Sequence, residues 1–122
     1  LTTIRRRIVE DVNIMYDKSQ LMRGTLEGCI LKFLSEETTY GYELVEKLEQ
    51  YGFEDIKEGT IYPLLVRLEK KGIIDSQFRP SPLGPSRKYY SLTTEGAAYL
   101  EEFLANWTKI SSSVNQIFRL EG

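Results

Sequence analysis

Between Lys57 and Arg67 the sequence KEGTIYPLLVR sets a lysine, a glycine, two hydroxyls and a guanidinium along one short stretch. Wound as a helix, it divides sharply. Ile61, Leu64, Leu65 and Leu68 recur at i, i+3, i+4 and i+7 and make a buried face. Gly59, Tyr62, Pro63, Val66 and Lys70 then point the other way. A helix face that enters the DNA major groove needs such a set: a glycine for close backbone approach, hydroxyls for phosphates and base edges, and small apolar groups for thymine methyls. The competing account packs Tyr62 and Val66 beneath a neighbouring element. Val66 fits both accounts, whereas Tyr62, at the helix start near Lys57, Thr60 and Arg67, is assigned to the groove.

Other chemistries are poorly supplied. The 122 residues include no histidine, which removes Ser-His and Cys-His nucleophile pairs, most zinc sites and the commonest general base. No GxxxxGK[ST] or GxGxxG phosphate loop is present. The paired carboxylates Glu36-Glu37, Glu54-Asp55 and Glu101-Glu102 fall beside helix ends or on an exposed helix face, where solvated surface is the default. Neither an enzyme, a metal site nor a cofactor is expected. Cys29, the single cysteine, lies among Leu26, Ile30 and Phe33 and reads as a small buried hydrophobe.

The net charge of -2 argues weakly against a nucleic-acid partner until it is divided by segment. Residues 24–58 hold three basic and nine acidic residues, a balance of -6, while residues 59–93 hold six basic and two acidic, a balance of +4. Attraction to phosphate depends on the local face, so the second segment is where a polyanion would dock. No apolar run approaches the roughly 18 to 20 residues of a membrane span, and a cytoplasmic protein is expected.

The elements that must position these groups follow from periodicity and punctuation. Met22 to about Ser35 reads as a helix with Leu26, Ile30, Phe33 and Leu34 on one face. Tyr40-Gly41-Tyr42 opens a second, with Leu44, Val45 and Leu48 inward and Gly52 as its stop. The third starts at Glu58, bent by Pro63, or at Thr60 as N-cap with Pro63 in the first turn, and ends at Gly72. The period then changes to two. Ile74, Ser76 and Phe78 alternate with Asp75 and Gln77, Arg79 to Ser86 is turn chemistry, and Lys88, Tyr90 and Leu92 alternate with Arg87, Tyr89 and Ser91. The expected fold is mainly α with a two-stranded β wing: a winged helix-turn-helix over residues 21–93, followed by a C-terminal dimerisation helix over 94–122. Residues 1–20 form an N-terminal extension, either foreign to the domain or, through Ile4, Ile8 and Val12, an amphipathic helix with Arg5, Arg6 and Arg7 available to phosphate.

The last helix, capped by Thr93-Thr94-Glu95, carries a heptad. Leu100, Trp107 and Val114 repeat every seven residues, as do Phe103, Ile110 and Ile117, and Leu104 and Phe118 widen the stripe. A second copy of the same helix is the economical partner, so a homodimer is expected; folding back onto its own three helices is the alternative. Tryptophan is wide for a two-helix seam, and paired Trp107 rings would leave a gap suited to a planar aromatic small molecule. Trp107 as plain filling of the dimer core fits almost as well.

With these motifs on the page, GTIYPLLVRLEKKGII followed by SRKYYSLTTEG, with YGYEL upstream, resembles the PadR family of winged-helix transcriptional regulators, and the single C-terminal helix resembles its small-member subfamily. The similarity runs from about Leu21 to Phe118. It implies a homodimeric repressor on an inverted-repeat operator in double-stranded DNA, released by a small molecule or another signal. Carried over, DNA contacts would come from Tyr40 and Tyr42, from Thr60 and Tyr62, and from Arg87 and Lys88 on the wing. The residue types add Lys57, Gly59, Pro63 and Arg67. Some small members stack a flat ligand on a tryptophan in the last helix, where Trp107 stands. Two rival readings are a winged-helix protein-interaction module without DNA, and a ligand-binding protein centred on Trp107.

Overall fold

The computed structural model describes residues 16–121, so the first fifteen residues, and with them most of the N-terminal extension, lie outside the described residues. Among the described residues four helices and three strands follow one another: α1 (Ser19–Glu36), β1 (Thr39–Tyr40), α2 (Gly41–Gln50), α3 (Glu58–Lys70), β2 (Ile74–Ser81), β3 (Gly84–Leu92) and α4 (Thr94–Phe118). The result is mainly helical with a small antiparallel sheet, a winged helix followed by a long C-terminal helix.

The core is built from the periodic faces. Leu26, Ile30, Leu31 and Leu34 of α1 meet Leu44, Val45 and Leu48 of α2 and Ile61, Leu64, Leu65 and Leu68 of α3, closed by Ile56, Ile73, Ile74 and Tyr90. Both α2 and α3 stop at glycines with positive φ, 99° at Gly52 and 76° at Gly72. Each end is a Schellman turn: Gly72 N donates to Glu69 O at 3.0 Å and Ile73 N to Leu68 O at 3.0 Å, with the matching pair at Gly52 and Phe53. The turn at Gly72 reverses the chain directly into the wing.

One open alternative is resolved and two local expectations are corrected. The third helix begins at Glu58 with Lys57 as its extended N-cap residue, so Thr60 is not the cap and Pro63 lies beyond the first turn. The bond that Pro63 cannot donate would have ended on the carbonyl of Gly59, an exposed residue whose carbonyl water can serve. The expected two-stranded wing is a three-stranded sheet in the order β1-β3-β2, because Thr39 and Tyr40 pair with Tyr90 and Tyr89. Two residues between helices carry no readable alternation. The stretch from Arg79 to Ser86 is not all turn either: Arg79 pairs with Arg87 and Ser81 with Gly84, leaving only Pro82 and Leu83 between the strands. Pro80 falls where the register shifts, and the hairpin here projects beyond the core, where a missing N–H faces solvent.

Candidate nucleic-acid interface

The starts of α2 and α3 and the near side of the wing enclose an open cleft of about 510 Å³, lined by Tyr40, Gly41, Tyr42, Glu58, Tyr62, Phe78, Ser86, Arg87 and Lys88. The helix-turn-helix packing forces the two helix starts together, since the buried faces of α2 and α3 share one core and leave Tyr42 and Tyr62 on the outside. Tyr42 is 54% and Tyr62 46% exposed, and Val66 is similarly half-open, so none of the three is covered by the wing within this chain. Gly59 has open space where a side chain would stand. Thr60 and Pro63 share that exposed helix start, and Lys57 is exposed just before it. The cleft therefore gathers five of the residues singled out above: Tyr40, Tyr42, Tyr62, Arg87 and Lys88.

Two cations are already engaged by carboxylates. Arg67 Nη2 donates to Glu27 Oε2 at 2.9 Å, while the second oxygen of Glu27 accepts from Tyr99 Oη at 2.5 Å. One carboxylate thus fastens α1, α3 and α4 together. Lys88 Nζ lies 3.2 Å from Glu69 Oε1, and Glu69 Oε2 accepts from Ser76 Oγ at 2.5 Å, which ties both long strands of the wing to α3. Lys88 and Arg87 leave opposite faces of β3, as alternation requires. Lys88 sets the wing against α3, and Arg87, over the Tyr40 ring at 4.6 Å, forms no ion pair among the described residues. Neither Glu27 nor Glu69 announces these roles in the sequence, because each partner lies far along the chain. Glu58 and Phe78 of the cleft went unmarked for another reason: nothing local separates them from ordinary surface.

These bonds set the acid limb of stability. Burial by itself raises the Glu27 carboxyl, but hydrogen bonds from Tyr99 and Arg67 outweigh it and hold the group below its ordinary value. The Ser76 hydrogen bond, with Lys88 beside it, does the same for Glu69 against a smaller effect of burial. A depressed carboxyl binds its proton less tightly in the folded state, so its contribution is full above the ordinary range and disappears as pH falls through the native value. Glu27→Gln is therefore expected to cost about 1 to 2 kcal/mol in urea titrations at pH 7. Below about pH 4 the gap from wild type should close; a gap that stays constant down to pH 3 would show that charge on Glu27 contributes nothing.

The expected dimer stripe divides in two. Leu100 packs against the domain core, and the Phe103 ring fills the space a side chain at Gly28 would need. From Leu104 onward the stripe is exposed: Trp107 is 43%, Ile110 60% and Ile117 77% exposed, with Val114 and Phe118 between and after them also open.

The sequence model of the transcriptional regulator PadR-like family matches residues 30–102, from the middle of α1 well into α4. The chain belongs to that family. It is a family of transcriptional regulators and not of enzymes. A solved PadR-like transcriptional regulator from Bacillus cereus is 48% identical, covers 84% of this chain and all of its own, and superposes with a TM-score of 0.75. A PadR family regulator from Eggerthella lenta, 31% identical, covers 99% of this chain and all of its own with a TM-score of 0.74. A Mycobacterium tuberculosis transcriptional regulator is 31% identical over 83 residues, 68% of this chain and 76% of its own length. Among the described residues of this PadR-like protein, no helix is long and apolar enough to cross a membrane.

Proposed function

We propose that this PadR-like regulator is a homodimeric repressor that binds an inverted-repeat operator in double-stranded DNA. The observation that carries the reading is the cleft itself, in which Tyr42 and Tyr62 stand outward from two adjacent helix starts with Arg87 at the wing beside them. The start of α3 enters the major groove, with Gly59 allowing close approach and Thr60, Tyr62 and Pro63 meeting bases and phosphates. Tyr40, Tyr42 and Lys57 lie on the flanking backbone. Lys88 and Arg67 act less directly, since their carboxylate partners make them props of the wing and of α3.

Dimerisation supplies the second half-site. Two copies joined along the bare part of α4 present two α3 helices, and a two-fold axis predicts half-sites about one helical turn, or roughly 34 Å, apart. Release of the operator falls to a planar aromatic molecule at Trp107, whose half-open ring stands midway along that apolar stripe. A protein-interaction role without DNA is less well supported, because it leaves Arg87, which forms no ion pair among the described residues, without a purpose.

Gel-shift titration with the DNA upstream of its own gene, between about 50 and 200 mM salt, tests the reading. Affinity should fall steeply, each phosphate contact adding about 0.9 to the slope of log K against log salt. Binding that ignores salt, or fails at every concentration, would overturn it.

A further inference from the structure

Arg79 and Arg87 are directly opposed partners on β2 and β3. Their side chains leave the same face of the sheet, and like charges in that position repel. Among the described residues neither guanidinium forms an ion pair. Each lies over an aromatic ring instead: Arg87 over Tyr40 at 4.6 Å and Arg79 over Tyr89 at 4.9 Å from the ring centres. Tyr40 and Tyr89 are themselves cross-strand partners whose rings meet edge to face at 5.3 Å. The four side chains make one ladder across all three strands.

This arrangement suits an anion. A guanidinium held over a ring still has N–H groups to donate, and that contact removes in advance some of the side-chain freedom that binding would otherwise cost. Two opposed, uncompensated cations strain the free hairpin, and a chain of phosphates relieves that strain. Charge along the sequence points the same way, with residues 59–93 at +4 and residues 24–58 at -6.

We propose that Arg79 and Arg87 together grip phosphates of duplex DNA beside the groove that α3 enters, with Tyr89 and Tyr40 as the platforms that hold them ready. The proposal rests on the DNA-binding reading above and adds Arg79 and Tyr89 to it. Arg79→Ala is tested on duplex from upstream of the gene and on an unrelated duplex of equal length. The salt slope should flatten by about one unit. Affinity should fall by the same factor on both duplexes, since phosphate contacts carry no sequence information. The melting temperature should hold or rise, because an opposed charge has gone. Tyr89→Leu keeps the charge, so its slope should match wild type while affinity drops several-fold through lost preorganisation. An Arg79→Ala slope equal to wild type sinks the outer-face contact alone, as does a lowered melting temperature with affinity unchanged. A wild type that retards neither duplex sinks the DNA-binding reading and this proposal with it.

Discussion

Aspartate at both Ile110 and Ile117 is expected to turn the proposed dimer into monomers. The helix α4 is 25 residues long and spans about 37 Å, and past Leu104 its apolar side chains are exposed. Ile110 and Ile117 sit seven residues apart, at the same heptad position one supercoil repeat on, so both face a partner helix together. Burying an unpaired carboxylate there costs several kcal/mol as an order of magnitude, and a two-fold axis places each substitution twice. Both isoleucines are open to solvent in the monomer, so the winged-helix body should keep its circular dichroism spectrum. Sedimentation equilibrium at micromolar concentration reads the outcome. A variant that remains dimeric, or a wild type already monomeric, would place the interface elsewhere. DNA affinity should fall with assembly, since one half-site alone then remains.

Gly96→Ala should be the most damaging single methyl in the fold. Helix propensity by itself favours alanine by about 1 kcal/mol, and Gly96 lies in the first turn of α4, so a local view predicts stabilisation. Tertiary packing reverses the sign. A β-carbon there would stand 2.1 Å from the Ile73 carbonyl oxygen and 2.7 Å from Leu92 Cδ1. That carbonyl cannot easily retreat, because it accepts from Thr93 N at 3.1 Å and from Thr93 Oγ1 at 2.9 Å, the same threonine whose hydroxyl caps Gly96 N. The clash must be relieved by shifting α4 from the sheet, at a loss of about 3 kcal/mol. Thermal melting should show a fall of roughly 10 °C. An unchanged or raised melting temperature would mean that the close approach of α4 to the Ile73 carbonyl, just before β2, is not a feature of the folded protein.

The faces of the helices were legible because burial leaves a local trace. Leu44, Val45 and Leu48, and Ile61, Leu64, Leu65 and Leu68, are buried where a period of 3.6 puts them, and Gly52 and Gly72 stop their helices by the positive φ that their position demands. The alternation of Ile74 and Tyr90 marked the inner face of the wing in the same way. Three such helices feeding an antiparallel hairpin spell a winged helix, and the family motifs agree with it. Periodicity says which side of an element is covered and is silent about what covers it. Arg67 and Lys88 looked like free cations in the sequence, yet Glu27 is 40 residues from the first, and Glu69 meets the second only because the Gly72 turn folds β3 back past α3. The two-residue strand at Thr39 and the opposed Arg79 and Arg87 depend likewise on registers set between distant segments. The heptad of α4 shows the division within one helix. Leu100 and Phe103 belong to the same heptad as Ile110 and Ile117, but the first pair packs on its own domain while the second pair stands exposed. Spacing determined that the stripe must be buried, and only the length of helix projecting beyond the core decided how much of it is left for a partner.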